Sequence, residues 1–131
     1  MDLEDRAVQE LLETNQRFYD AIEASDFEAM SAAWEHSDRT SCVHPGWSIL
    51  RGWPAIAESW RRIFEGPGFN QFILTNSSVS IEGDLAWVVL DENLVADGSA
   101  GTVASTNIYA RHGNGWLMIV HHGSPVATSV R

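Results

Sequence analysis

The sequence predicts an α+β fold in which helices pack on one face of a curved antiparallel sheet. In the first half of the chain, apolar residues recur at helical spacing; from residue 72 onward they follow the alternation of strands. Three short breaks divide this second half into four consecutive segments, which is typical of strands linked by hairpins. These breaks are Glu82-Gly83-Asp84, Asp97-Gly98-Ser99 and His112-Gly113-Asn114-Gly115.

Three helices are predicted before the long strands. Residues 3–24 place apolar side chains on one face and acids on the other, as in an amphipathic helix. A second helix is predicted over residues 27–34, and Asp26 is suited to cap its N-terminus. A third begins at Gly52-Trp53-Pro54, where proline fits the first helical turn, and ends near residue 64 before Gly66-Pro67-Gly68.

A short strand over residues 40–43 is predicted between the second and third helices. The four longer strands are predicted at residues 72–81, 85–96, 102–111 and 116–124. No repeat, linker or low-complexity tract interrupts the chain, so we expect a single domain over residues 1–131.

The composition disfavours several classes of protein. The net charge is −10, from 18 acidic and 8 basic residues, which argues against a nucleic-acid or anionic membrane partner. No run approaches the roughly 20 apolar residues of a membrane span. The acidic N-terminus lacks the order of a signal peptide, and the single cysteine, Cys42, cannot form an intramolecular disulfide; both suit the cytoplasm. Six tryptophans fit either a shared aromatic interior or simply a tryptophan-rich core.

No cofactor is expected from the motifs. No glycine-rich phosphate loop follows a strand, no G-x-S-x-G motif surrounds a serine, and Cys42 has no nearby base in sequence. A metal site needs three or more convergent ligands. The spacings H-x-H and H-E-x-x-H are absent, although Asp91 or Glu92 could supply a carboxylate. The sequence therefore predicts a site without metal.

Three segments carry a resemblance to a known superfamily: AIEASDFEAM (21–30), VHPGWSILRGWPAI (43–56) and VASTNIYARHGNGWLMIVHHGSP (103–125). Together with the order of elements, they resemble the ketosteroid isomerase and nuclear transport factor 2-like superfamily, and above all its SnoaL-like branch. The resemblance implies a cone, in which a strongly bent sheet wraps around three helices and encloses a deep apolar pocket. It also implies a homodimer through the outer sheet face. It leaves function open, because the same cone serves isomerases, dehydratases, epoxide hydrolases, cyclases and non-catalytic assembly domains.

The resemblance to ketosteroid isomerase places two functional groups. In that branch an aspartate before a proline takes the substrate's proton, and here it matches His44-Pro45 in TSCVHPGW. A histidine keeps the capacity for proton transfer near neutral pH. The isomerase's protonated aspartate matches Asn107, whose amide can still donate a hydrogen bond to an oxygen.

Two tyrosines of the isomerase are missing. The oxyanion-binding tyrosine on the first helix matches Phe18, and the adjacent Tyr19 lies about 100° round the helix, so it cannot simply substitute. A supporting tyrosine on the third helix matches Trp60. Steroid isomerisation by that route is therefore disfavoured, because one such donor is worth about 2.7–4 kcal/mol in other oxyanion holes.

The last strand carries two adjacent histidines, of which only one can face the pocket. Strand alternation groups Met118, Val120 and His122 on one face, and the resemblance makes this the pocket face. His122 is therefore predicted inside and His121 outside. Three readings stay open: an acid/base pair of His44 and His122, two rings satisfied by neighbouring groups without further function, or a metal site.

Other residues complete the predicted pocket. Asp91 and Asn93 are assigned to the concave face with Trp87, although a slip of one residue would exchange them with Glu92. Trp47 either caps the pocket mouth or packs on the surface. The predicted substrate-binding residues are Phe18, Trp47, Trp60, Asp91, Met118 and Val120.

The expected function is a small-molecule pocket that carries out cofactor-free proton transfer next to the carbonyl of an apolar, ring-containing molecule. The reaction would be an isomerisation, cyclisation or dehydration, with His44 as the base, Asn107 polarising the oxygen and His122 as acid or second proton carrier. The alternative is a non-catalytic association or ligand-sensing domain, similar to relatives that assemble protein kinases. That alternative predicts a large oligomer.

Overall fold

The computed structural model describes residues 2–68, 71–96 and 99–127. The elements in chain order are α1 (Leu3–Ala24), α2 (Phe27–Ala33), β1 (Ser41–Val43), β2 (Leu50–Arg51), α3 (Trp53–Glu65), β3 (Gln71–Glu82), β4 (Leu85–Ala96), β5 (Ser99–His112) and β6 (Gly115–Pro125). The strands form a curved six-stranded sheet in the order β2-β1-β6-β5-β4-β3, in which β1 and β6 run parallel and the other pairs antiparallel. The predicted α+β cone is confirmed, while the short strand β2 was not predicted.

Local chemistry explains where the helices begin. Asp2 and Asp26 cap α1 and α2, because each side chain accepts a backbone N–H of the first turn, at 2.8 and 3.0 Å. Helix α3 begins after Gly52, whose φ of +83° lies in the region that favours glycine. Pro54 then occupies the first turn of α3, where its missing N–H costs no helical hydrogen bond.

The core lies between the helices and the concave face of the sheet. It contains aromatic and aliphatic side chains from both halves of the chain, among them Leu11, Phe18, Tyr19, Met30, Trp34, Ile56, Trp60, Val88, Tyr109, Trp116 and Met118. Three of the six tryptophans are therefore buried, which agrees with an aromatic interior shared by several elements.

Strand β6 contains a β-bulge at Ile119, where the register against β5 shifts. The extra residue reverses the alternation of side chains along the strand. Met118, before the bulge, is buried, and His121, after it, is buried as well, with 3% exposure. The prediction that His122 faces the interior is therefore wrong, since His122 is exposed on the outer face.

In strand β4, the side chains on the concave face are the set that was predicted to lie on the outer face. Glu92 is buried on the concave face, whereas Asp91 lies half-buried on the outer face, so the pocket placement of Asp91 is wrong. The one-residue exchange that the sequence left open is the observed arrangement. On the concave face the small Ala86 is paired with the buried Tyr109, and the bulkier Trp87 is turned to the outer face.

The outer face of the sheet carries an apolar band. We call Trp87, Val89, Ile108 and Val120 the outer band, because strand pairing places Trp87 beside Ile108 and Ile108 beside Val120. Val89 in the neighbouring row is 42% exposed. Within the described ranges, no helix has both the length and the apolar character needed to cross a membrane.

Candidate functional site

A cavity of about 300 Å³ lies between α1, α3, the loop after β1 and the strands β3, β4, β5 and β6. It is lined by Ile22, His44, Pro45, Trp47, Trp60, Ile63, Phe72, Glu92, Leu94, Val103 and His121. Three of these side chains, His44, Glu92 and His121, can titrate, and the others are apolar or aromatic. An apolar cavity with a few convergent polar groups is typical of a small-molecule site, and its volume is at the lower end of the usual range of roughly 300–1,000 Å³.

His44 follows β1 and is held by a serine of α3. Its Nε2 lies 2.8 Å from the Ser59 Oγ, and the Ser59 hydroxyl donates to the Ile56 carbonyl at 2.7 Å. Because that hydroxyl has one proton, Ser59 must accept from His44, so Nε2 carries the ring proton and Nδ1 keeps a lone pair. Burial lowers the pKa of His44 to about 4, and the ring is therefore neutral at pH 7.

A tight turn explains why two indole rings flank His44. Gly46 has a φ of +85°, which suits glycine, and the Trp47 N–H donates to the His44 carbonyl at 2.8 Å. The turn brings the centroid of the Trp47 ring to 4.8 Å from the His44 ring, and Trp60 of α3 approaches it to 4.7 Å. Trp47 lines the cavity while 43% of it stays exposed, so it lies at the mouth.

His121 is held from behind by Asn107. Its Nδ1 donates to the Asn107 Oδ1 at 2.6 Å, and because an amide oxygen only accepts, Nε2 keeps the lone pair. Burial, followed by the proximity of His44 and His122, lowers the pKa of His121 to about 3. The ring centroids of His44 and His121 are 6.5 Å apart, so one small molecule can contact both rings.

Asn107 lies behind the cavity wall and is fully buried. Its amide nitrogen donates to the Asn15 Oδ1 and to the Tyr19 hydroxyl, both at 3.0 Å. Both amide hydrogens are thus engaged with protein oxygens. The predicted role of Asn107, donating to a ligand's oxygen, does not fit this geometry; its contact with the site runs through His121.

Tyr19 continues this network to the opposite side of the cavity. Its hydroxyl accepts from Asn107 and donates to the Glu92 Oε2 at 2.5 Å. Burial, reinforced by the nearby Glu92, raises the pKa of Tyr19. Burial also raises the pKa of Glu92, against the lowering effects of the Tyr19 hydrogen bond and of the neighbouring Ser105 hydroxyl. One buried chain of hydrogen bonds therefore joins two titratable groups of the same cavity.

Several predicted wall residues lie elsewhere. Phe18 is buried behind the wall, where its ring contacts Trp60 at 5.7 Å and His121 at 4.9 Å. Met118 belongs to the core beneath the cavity, and Val120 faces outward because of the bulge. Three predicted residues line the cavity: His44, Trp47 and Trp60.

Five residues that shape the site were not among the predicted site residues: Asn15, Tyr19, Ser59, Glu92 and His121. One signal was available in α1, where Asn15 and Tyr19 are four residues apart and so share a helix face. A second was the acid Glu92 inside the apolar run WVVLDENLV, where burial on the concave face leaves it needing a hydrogen-bond partner. Within the described residues, no group of three or more His, Cys, Asp or Glu side chains could hold a metal ion.

Comparisons with known proteins agree with this fold. The sequence profile of the SnoaL-like domain matches residues 11–128. The structure of a proposed dehydratase of the nuclear transport factor 2-like family from Streptomyces avermitilis is 35% identical, with a TM-score of 0.87 over 95% of this chain and 99% of that one. A proposed calcium/calmodulin-dependent protein kinase type II association domain from Thiobacillus denitrificans is 33% identical, with a TM-score of 0.76 over 87% and 93%.

More distant matches share the same architecture. A proposed ketosteroid isomerase from Parabacteroides distasonis is 15% identical and has the same fold, with a TM-score of 0.76 over 90% of this chain and 86% of that one. F-box protein SKIP8 of Arabidopsis thaliana is 28% identical over 114 residues, which are 87% of this chain and 48% of that protein. The chain thus spans about half the length of this curated relative. Because the profile covers most of the sequence and the cone is shared with these structures, the chain belongs to the SnoaL-like domain family of the nuclear transport factor 2-like superfamily.

Proposed function

We propose that this chain binds an apolar, ring-containing carbonyl compound in the cavity and moves a proton on it without a cofactor. The observation that carries the proposal is a pair of neutral imidazoles, 6.5 Å apart, in one apolar cavity. Each ring is held through its N–H, and its other nitrogen keeps a lone pair; in His44 that nitrogen, Nδ1, also lies 3.9 Å from the Cys42 Sγ. Similarity to a proposed dehydratase adds support. The candidate reactions are isomerisation, cyclisation and dehydration.

His44 acts as the base in this proposal. Its Nδ1 takes a proton from the carbon next to the carbonyl: the C–H bond breaks, an N–H bond forms, and the electron pair moves into an enolate with negative charge on oxygen. The imidazolium then returns the proton, to a second carbon in an isomerisation or to a leaving hydroxyl in a dehydration. A ring with a pKa of about 4 is unprotonated at neutral pH and so ready to act.

His121 supports the reaction as an acceptor. At neutral pH its Nε2 has a lone pair, which can accept a hydrogen bond from a hydroxyl of the substrate or product. The second proton-carrying position, predicted at His122, thus moves to His121. Asn107 is a positioning residue, because its carbonyl oxygen fixes the tautomer of His121.

Hydrogen–deuterium exchange tests the proposal without knowledge of the product. The protein is incubated in D₂O with cyclohexanone, 1-tetralone and 2-tetralone, and NMR follows the loss of the protons next to each carbonyl. We expect exchange faster than in buffer for at least one ketone, and a fall of about 10²–10⁴-fold in His44→Ala. His122→Ala, which removes an exposed imidazole from the outer face, should leave the rate unchanged. Equal rates for the wild type and His44→Ala would remove His44 from the chemistry.

A non-catalytic association domain is the second candidate. The 33% identity to a proposed kinase association domain favours it, as does the exposed apolar surface of the outer band. This candidate predicts a ring-sized assembly and no exchange above buffer. Size-exclusion chromatography with light scattering separates the two, since a compact dimer with ketone exchange is the outcome expected for the enzyme.

A further inference from the structure

The described part of the cavity wall offers acceptors but few donors. It contains no arginine or lysine side chain, and His44 and His121 have committed their N–H groups to protein partners. The indole nitrogen of Trp60 is buried and has no hydrogen-bond partner among the described residues, and Trp47 lies at the exposed mouth. The remaining polar group of the wall is Glu92. A carbonyl oxygen in the cavity interior needs a donor, so the state of Glu92 decides which ligands fit.

Glu92 has the surroundings of a neutral acid. It is 4% exposed, and Phe72, Leu94 and Val103 line the cavity with it. Among the described wall residues, no cationic side chain balances a negative charge. An uncompensated buried carboxylate costs several kcal/mol, whereas the protonated acid keeps the hydrogen bond from Tyr19 and gains an O–H donor. Burial raises the pKa of Glu92, which agrees with a protonated carboxyl group.

We infer that the Glu92 carboxyl group, positioned by Tyr19, donates a hydrogen bond to the oxygen of the bound molecule, so that the cavity selects an uncharged, oxygen-bearing ligand over a carboxylate or phosphate. The catalytic part of this inference rests on the proposed function, whereas the ligand selection does not. When His44 removes the proton, the hydrogen bond from Glu92 strengthens as the negative charge grows on the oxygen, and no bond to the Glu92 proton has to break. An anionic ligand would meet two imidazole lone pairs and the field of a chain with a net charge of −10.

Infrared difference spectroscopy tests the state of Glu92 without a ligand. The spectrum of the wild type minus that of Glu92→Gln at pH 7 should contain the C=O band of a carboxylic acid. Glu10→Gln, which removes an exposed glutamate of α1, should leave that band in place. Carboxylate bands in the Glu92 difference spectrum, without the acid band, would overturn the inference.

Three probes of similar size then test ligand selection: acetophenone, benzoate and benzylamine, titrated by NMR. We expect acetophenone to bind at least about tenfold more tightly than benzoate, because the anion must lose its hydration in a cavity whose described wall has no cationic side chain to balance the charge. Glu92→Gln keeps the volume and a donor, so it should retain acetophenone binding. Glu92→Leu lacks the donor and should weaken it about 2–10-fold.

The contrary outcomes are distinct. A preference for benzylamine that Glu92→Gln abolishes would mean an ionised Glu92. Acetophenone binding that is absent, or equal in the wild type and Glu92→Leu, would remove Glu92 as the donor, and either result overturns the inference. Deuterium exchange that needs His44 but not Glu92 would uphold the proposed function alone. Ketone binding that needs Glu92, without any exchange, would uphold ligand selection and refute catalysis.

Discussion

At the scale of single residues, His44 and His121 differ in which nitrogen carries the proton because their anchors differ. The Ser59 hydroxyl already donates its proton to the Ile56 carbonyl, so it can only accept from His44 Nε2. The amide oxygen of Asn107 can likewise only accept, in this case from His121 Nδ1. In both rings the lone pair is on the nitrogen that lacks the anchor. Each anchor thus leaves its histidine with one unprotonated nitrogen. That nitrogen can accept a hydrogen bond or take a proton.

The stability of the protein should decrease as the pH falls below about 6.5. The pKa of His44 is about 4 in the folded state and 6.5 otherwise, so between these values the unfolded chain binds a proton that the folded chain excludes. Stability is thus full above the unfolded pKa and is lost as the pH falls towards the folded one. Between pH 7 and pH 5, His44 alone accounts for a loss of roughly 2 kcal/mol.

Urea denaturation of the wild type and His44→Gln at both pH values measures this loss. The variant should lose roughly 2 kcal/mol less than the wild type between pH 7 and pH 5. The opposite contribution of Glu92, whose raised pKa favours the folded state at lower pH, is present in both proteins and cancels. The same pH dependence in the two proteins would contradict a buried, neutral His44.

Ser59→Ala should slow ketone exchange while leaving ketone binding nearly unchanged. The substitution removes the acceptor that orients His44 Nε2 but changes no other cavity group. The base therefore remains in the cavity, but its ring is no longer held in the orientation needed for proton transfer. We expect a rate lower by roughly 10–100-fold. Exchange rates and titrations of the same ketone measure the two effects separately, with the exposed Ser48→Ala as control. A parallel loss of binding would indicate a structural role instead.

At the scale of elements, one carboxylate joins the loop after α2 to the β5–β6 hairpin. Glu35, which is 7% exposed, accepts two hydrogen bonds from Arg39 at 2.7 Å each, and one each from Ser37 and His112 at 2.6 Å. The bonds from Arg39 hold the pKa of Glu35 well below its usual range. Its backbone N–H also donates to the Met118 carbonyl at 3.0 Å, one residue before the bulge. These hydrogen bonds therefore hold β6 in place next to its bulge, where the alternation of inward-facing and outward-facing side chains reverses.

Glu35→Gln should lower the free energy of unfolding by about 1–2 kcal/mol, because it removes the charge from a set of charge-assisted hydrogen bonds. Solvent around the exposed Arg39 keeps the loss in this range. Glu58→Gln is the matched control: its exposed pairing with Arg62, at 3.4 Å, should be worth less than about 0.5 kcal/mol. Urea denaturation at pH 7 checks both values, and equal losses would contradict the structural role of Glu35.

At the scale of the whole molecule, the cone separates two surfaces of the same sheet. The concave face holds the polar network and the cavity, whereas the convex face carries the outer band. A patch of half-buried and exposed apolar side chains on a sheet is a common site of protein association. We therefore expect a homodimer through the outer band, as the resemblance to the superfamily implies.

Val89→Arg should convert such a dimer into a monomer, because it places a charge in the middle of an apolar contact. Size-exclusion chromatography with light scattering gives the mass of each species. Ile49→Arg, at a loop residue that is 53% exposed and outside the outer band, should leave the dimer intact. A monomeric wild type, or a dimer that survives Val89→Arg, would exclude the outer band as the interface.

The sequence by itself determined the family and all the elements except the short strand β2. The 3.6-residue spacing predicts α1 over the observed Leu3–Ala24, Asp26 caps α2 as expected, and positive-φ glycines occupy the turns at Gly83 and Gly113. These features are local, since spacing, caps and turns depend on neighbouring residues alone. The motif around His44-Pro45 likewise predicted a residue that lines the cavity.

Only the tertiary structure decided which side chains meet in the site. The exchange of His122 for His121 follows from one bulged residue, Ile119, whose place is set by pairing with β5. The inward turn of Glu92 depends on which face of β4 the helices cover, and alternation alone is symmetric between the two faces. Tyr19 joins the network because α1 packs against both the sheet and α2, so the buried part of its surface is wider than one helical stripe. Contacts between distant segments, not local spacing, fix these three choices.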